Sequence, residues 1–156
     1  MKFPEVGEKS RDFETVTEAG TPVKLSDYSG KRVMLYFYPK ADTPGCTKQA
    51  CSIRDNYQLF NEKDIVVLGC SPDTAEDQLA FKNKYNLPFV LLADADHQIS
   101  DLYGVWGPYK STYNGVEYEA SGTRRSTFII EPDGSISYAQ YGVDPTKNTA
   151  EILELV

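Results

Sequence analysis

Residues Arg32–Cys51 read RVMLYFYPKADTPGCTKQAC. Arg32 to Tyr38 is a nearly continuous apolar run, as a strand buried on both faces requires. Pro39 ends it and a polar loop follows. Thr43 is a natural helix N-cap, and Pro44 suits the first helical position. From Pro44 to Glu62 the residues Ala50, Ile53, Tyr57 and Phe60 fall at helical spacings. One helix is expected over that span. A buried strand feeding a helix implies a layered α/β structure.

The same pattern continues on both sides. Upstream, Phe13 to Val16 and Val23 to Leu25 read as two short strands around a Glu-Ala-Gly-Thr turn. Downstream, Ile65 to Ser71 (IVVLGCS) is a second buried strand. Ser71-Pro72-Asp73 opens a second helix, with Leu79, Phe81 and Tyr85 on its apolar side and Asn86 and Pro88 at its end. Phe89 to Asp94 is a further strand and Ile99 to Tyr103 a helical turn. Residues 104–123, rich in Gly, Tyr and Ser, receive no assignment. Two alternating strands flank Pro132-Asp133-Gly134, a hairpin turn, and Thr149 to Val156 is a final helix. The order predicts one domain over residues 1–156. It is of α/β class, with a mixed central sheet flanked by helices and an N-terminal β-hairpin. A thioredoxin-like fold is one such arrangement.

Bulk properties narrow the function. The chain has 156 residues, 40% of them hydrophobic, enough for a real core. Its net charge is -7, and Lys and Arg are scattered among acids. That argues against nucleic acid as a partner. No apolar run approaches the length of a membrane span. The start, MKFPEVGEKSR, lacks the apolar core of a signal peptide. A cytoplasmic protein is expected, where a close cysteine pair is more often catalytic or metal-binding than a structural staple.

Cys46 falls in the first turn of the expected helix. Unpaired N–H groups and the helix dipole there favour an anion, so its thiol is expected to ionise readily. Gly45 allows close approach of a small ligand to the backbone. Cys51 lies five positions on. On a continuous helix that spacing means a rise of about 7.5 Å and a rotation of roughly 140°, hence a Cα separation of roughly 8–9 Å. A disulfide needs less than about 7 Å. Either the two sulfurs never bond and Cys51 is a core residue, or the helix start must unwind. The spacing suits neither a zinc knuckle nor a CxxC pair. Cys70, at the end of a buried strand, reads as structural, and His97, in Asp94-Ala-Asp-His, as part of a surface turn.

The stretch YPKADTPGCTKQAC, Tyr38–Cys51, closely resembles the active-site segment of peroxiredoxins, in particular the bacterioferritin-comigratory-protein or peroxiredoxin Q group. The motif Pro-x-x-x-Thr/Ser-x-x-Cys is met by Pro39, Thr43 and Cys46, and the group's helical second cysteine by Cys51. Val33–Pro39, Gln49–Asp55, DADHQISDLYGVWG (Asp94–Gly107) and RSTFIIEPDG (Arg125–Gly134) agree as well. Ser10-Arg-Asp-Phe13 departs from the usual Ala-Pro-Asp-Phe, in a turn away from the chemistry.

The resemblance implies a thioredoxin-like fold and thiol-dependent peroxidase activity on hydrogen peroxide and alkyl hydroperoxides, with no metal or organic cofactor. It makes Cys46 the peroxidatic and Cys51 the resolving cysteine, joined in an intramolecular disulfide that thioredoxin or a similar dithiol reduces. Thr43 and Arg125 would bind the thiolate and peroxide, with the backbone N–H groups of Gly45 and Cys46, and Pro39 would shield the sulfur. Only the family pattern singles out Arg125; Arg124 should point the other way as a solvated charge. A resolving cysteine in the same helix needs no partner subunit, so a monomer is expected. A protein thiol–disulfide oxidoreductase and a non-enzymatic redox sensor remain alternative uses of the same cysteines.

Overall fold

The computed structural model describes residues 2–156. Strands β1 (Glu14–Thr17) and β2 (Pro22–Lys24) form the N-terminal hairpin, and a 3-10 turn, Leu25–Tyr28, leads to β3 (Arg32–Phe37). Then come α1 (Pro44–Asp55), α2 (Tyr57–Glu62), β4 (Ile65–Ser71), α3 (Ala75–Tyr85), β5 (Val90–Ala93) and α4 (Gln98–Leu102). The chain ends with β6 (Trp106–Tyr113), β7 (Val116–Thr123), β8 (Ser126–Ile130), β9 (Ile136–Tyr141) and α5 (Asn148–Leu155). Seven strands make one sheet in the order β2-β1-β5-β4-β3-β8-β9. β3, β4 and β5 run parallel to one another, and the outer pairings are antiparallel. This is the mixed sheet that the strand–helix order predicts.

Strand β3 owes its composition to its place inside the sheet. Val33, Leu35 and Phe37 pack on one face with Phe13, Tyr103 and Phe128. Met34, Tyr36 and Tyr38 pack on the other with Ala50, Ile53, Phe60, Phe81 and Ile152. Both faces of β3 are therefore covered, and a continuous apolar run results. Each such side chain contributes roughly 1.5–3 kcal/mol by leaving water. Gly69 in β4 stands beside Tyr36 in the parallel register, and a Cβ there would lie 3.0 Å from the Tyr36 ring. The glycine makes room for a fully buried tyrosine.

Two expectations need correction, and one unassigned segment gains a structure. The helix expected over Pro44–Glu62 is two helices, broken at Asn56 (φ -110°, ψ 12°). The Asn56 side chain donates to the Ser52 carbonyl at 2.8 Å, a local bond that competes with helix continuation. In α3, Leu79 is 41% exposed, while Gln78 is fully buried. The Gln78 amide donates to Ser71 Oγ (2.8 Å) and the Leu92 carbonyl (2.9 Å) and accepts from Tyr38 Oη (2.6 Å). A buried polar side chain with all these partners can take a core position that pattern reading gives to leucine. Finally, residues 106–123 form a separate two-stranded hairpin, β6–β7, turning at Asn114-Gly115, both with positive φ.

Candidate active site

Helix α1 docks on the sheet through Cys46, Ala50 and Ile53, all buried. These three share one stripe of the helix, so packing itself turns the Cys46 sulfur inward, where it is 1% exposed. Cys51 lies off that stripe and is half-buried. Both cysteines are free thiols within one unbroken helix.

The helix begins at Pro44, as the Thr43-Pro44 pair predicts. Thr43 is extended (φ -95°, ψ 158°) and Pro44 occupies the first turn, but no side chain caps the end. The Thr43 hydroxyl instead donates to the Lys40 carbonyl at 2.8 Å. The N–H groups of Gly45 and Cys46 remain free, at the positive end of the helix dipole. Pro39 is half-buried just beyond β3, where Tyr38 N–H still donates to the Cys70 carbonyl (3.0 Å).

Arg125 comes from the link between β7 and β8. Its Nη2 donates to Cys46 Sγ at 3.5 Å and its Nη1 to Gln49 Oε1 at 2.8 Å. Gly45 makes this approach possible, because a Cβ there would lie 3.0 Å from Arg125 Nη2. Behind Gln49 stands a buried relay. Gln49 Nε2 donates to Asn148 Oδ1 (3.0 Å), which also accepts from Thr127 Oγ1 (3.2 Å). With its nitrogen bound to Asn148, Gln49 must present its oxygen to Arg125. Sequence reading missed both Gln49 and Asn148. We expect Asn148→Leu to slow the reaction with peroxide about 10-fold, by freeing the Gln49 amide, and to destabilise the fold by about 1–3 kcal/mol. Stopped-flow fluorescence and urea unfolding would measure the two effects.

Arg124 does point away from Arg125, but it is not a solvated charge. Half-buried, its guanidinium lies over the rings of Tyr109 (5.0 Å) and Tyr141 (5.8 Å), and so clamps the β6–β7 hairpin to the end of β9. Cation–π attraction replaces the water expected around it. Burial pushes up the pKa of the Tyr109 hydroxyl, which also senses Arg124, Arg125 and Cys46. Arg124 thus ties the hairpin to the chain immediately before Arg125, a role no sequence motif suggested. Cys70 is fully buried, and burial, followed by the charge of Asp94, pushes its thiol up. It stays a neutral core side chain, as read from the sequence. His97 bonds Asp101 (2.7 Å) and stacks on Trp106 (3.9 Å between centroids), not on Cys46. Among the described residues no helix is long and apolar enough to cross a membrane.

The chain is similar to known proteins along most of its length. The model of the AhpC/TSA family matches residues 6–139. Peroxiredoxin Bcp of Bacillus subtilis is 44% identical over 150 residues, 96% of this chain and 93% of its own. The crystal structure of peroxidoxin BcpB from Mycobacterium tuberculosis superposes with a TM-score of 0.82 at 31% identity, covering 96% of this chain and 94% of that one. Bacterioferritin comigratory protein of Xanthomonas campestris, solved to explain its alkyl peroxide reduction activity, gives a TM-score of 0.81 at 25% identity, over 92% of this chain and 88% of that one. A thioredoxin-like sheet, a cysteine at an uncapped helix start and an arginine on its sulfur thus meet in a chain that belongs to the AhpC/TSA family, as a thiol-dependent peroxidase of the Bcp and peroxiredoxin Q group.

Proposed function

We propose that Cys46 is the peroxidatic cysteine and Cys51 the resolving one. The observation that carries the reading is the Arg125 guanidinium, 3.5 Å from a sulfur at an uncapped helix start. The Cys46 thiolate attacks the nearer oxygen of hydrogen peroxide or a small alkyl hydroperoxide. An S–O bond forms from the sulfur electron pair, the O–O bond breaks, and hydroxide or alkoxide leaves and takes a proton. Arg125, the free N–H groups of Gly45 and Cys46, and the Thr43 hydroxyl, released from Lys40, hold both oxygens. Donors that fit the lengthened O–O bond better than the resting peroxide lower the barrier. A more acidic thiol alone would not, because nucleophilicity falls with pKa.

The product is a Cys46 sulfenic acid. Cys51 then attacks that sulfur, an S–S bond forms, the S–O bond breaks and water leaves. In the intact helix the Cα atoms are roughly 8–9 Å apart, so the start of α1 must open first. A dithiol such as thioredoxin returns the disulfide to two thiols by exchange. The second cysteine lies in the same helix, so the cycle needs no second subunit, and we assign a cytoplasmic monomer.

The test is a coupled assay with NADPH, thioredoxin reductase and thioredoxin, supplied with hydrogen peroxide or an organic hydroperoxide. Wild type should turn over on both. Cys51→Ser should give a single turnover, accumulate the Cys46 sulfenate and lose thioredoxin-driven recycling. Full recycling in Cys51→Ser would remove Cys51 from the mechanism.

A further inference from the structure

The segment that carries both cysteines is held at its two ends by one residue. Upstream, Asp42 adopts a left-handed backbone (φ 60°), which is costly for a residue with a side chain. Its carboxylate accepts from Lys84 Nζ and from Tyr85 Oη, each at 2.8 Å. These bonds, that of Lys84 first, hold the carboxyl below its usual range. Downstream, Arg54 Nη1 donates to the Tyr85 carbonyl at 2.7 Å. Cys46 and Cys51 lie between those two anchors.

Tyr85 is a firm post for this purpose. It is the last residue of α3, before the left-handed Asn86. Its ring packs edge-on against buried Phe81, with centroids 5.6 Å apart. α3 is in turn fastened to β4 and β5 by the buried Gln78 amide. Opening of α1 must therefore work against a fixed point. The bonds from Tyr85 and Lys84 hold Asp42 in its left-handed conformation.

We propose that Tyr85 is a latch for the resolving step, which holds both ends of the Cys46–Cys51 segment on α3 and sets how readily α1 opens. The proposal rests on Cys51 being the resolving cysteine. It acts through α1, so Tyr85 is a positioning residue and not a catalytic one. The latch also sets a competition. While α1 stays closed, the sulfenic acid faces the peroxide site. A second peroxide molecule can then oxidise it to sulfinic acid, its O–O bond breaking as a second S–O bond forms and water leaves. Once α1 opens, the same sulfur goes to the disulfide.

Tyr85→Phe tests this with little other change. The ring stays against Phe81 and the backbone carbonyl stays available to Arg54; only the bond to Asp42 is lost. Rapid-quench mass spectrometry with excess hydrogen peroxide would follow thiol, sulfenate, disulfide and sulfinate. Sulfenate formation should stay within about twofold of wild type. The sulfenate-to-disulfide step should accelerate about 3- to 10-fold, and the sulfinate fraction should fall by a similar factor. Lys84→Met, at an exposed position, should shift both quantities in the same direction. A residue that only stabilised the fold would lower the unfolding midpoint and leave this partition unchanged. If wild type forms the disulfide and Tyr85→Phe forms it no faster, the latch is overturned alone. If wild type forms no Cys46–Cys51 disulfide, the resolving role of Cys51 is overturned, and the latch with it.

Discussion

Cys46→Ser should abolish peroxide consumption, with a fall of at least about 1000-fold in the second-order rate constant. Serine keeps the shape of the side chain, so the stripe of residue 46, Ala50 and Ile53 on the sheet survives. Arg125 and the N–H groups of Gly45 and residue 46 stay where they are. A serine hydroxyl, however, is not ionised at neutral pH and is a poor nucleophile without a strong base. Among the described residues the side chain at hydrogen-bonding distance of Cys46 is Arg125, a cation and no base, and the partner of Arg125, Gln49, is neutral. A peroxide-consumption assay beside a far-UV circular dichroism spectrum would check it. Substantial activity in a folded Cys46→Ser protein would move the chemistry to another residue.

Arg125→Ala should lower the rate with peroxide by about 100- to 1000-fold, the usual cost of removing a donor aimed at developing charge. Arg125→Lys should recover little of that loss. The guanidinium uses Nη1 on Gln49 and Nη2 on Cys46 at the same time, and a single ammonium cannot reproduce that fork. The space at Gly45, which a Cβ would close to 3.0 Å from Nη2, is shaped for the fork as well. Stopped-flow measurement of the first oxidation step, kept apart from recycling, would read both variants. An Arg125→Lys rate close to wild type would show that charge alone matters at this position.

The central architecture was legible because its signals are local and strong. The apolar run of β3 and the Thr43-Pro44 helix start lie within a dozen residues of each other, and each obeys a rule of sequence. Cys46 could be singled out for the same reason. Arg125 was not legible from periodicity; the resemblance alone chose it over Arg124, although the structure shows the two pointing to different partners. Gln49 and Asn148 escaped because their pairing spans 99 positions, and a polar residue on a helix carries no mark of a distant partner. Gln78 escaped because its burial depends on three hydrogen bonds, with Tyr38, Ser71 and Leu92, that are scattered along the sequence. The β6–β7 hairpin was overlooked for a different reason. Its strand β7 is largely exposed, so the alternation of Val116, Tyr118 and Ala120 with Glu117 and Glu119 marks no buried face, yet Asn114-Gly115 is a strong turn signal that could have revealed it.

Amide hydrogen exchange across Pro44–Ile53, read before and after one equivalent of hydrogen peroxide, tests the central claim most directly. The reduced protein should protect the amides of α1 from Thr47 onward, the first with a backbone acceptor, the Thr43 carbonyl. After oxidation, with the Cys46–Cys51 disulfide verified by peptide mass, protection should be lost across this segment and retained in β3, β4 and β8. Unchanged protection in α1 with the disulfide in place would contradict the account, because the sulfurs would then have met without the helix opening.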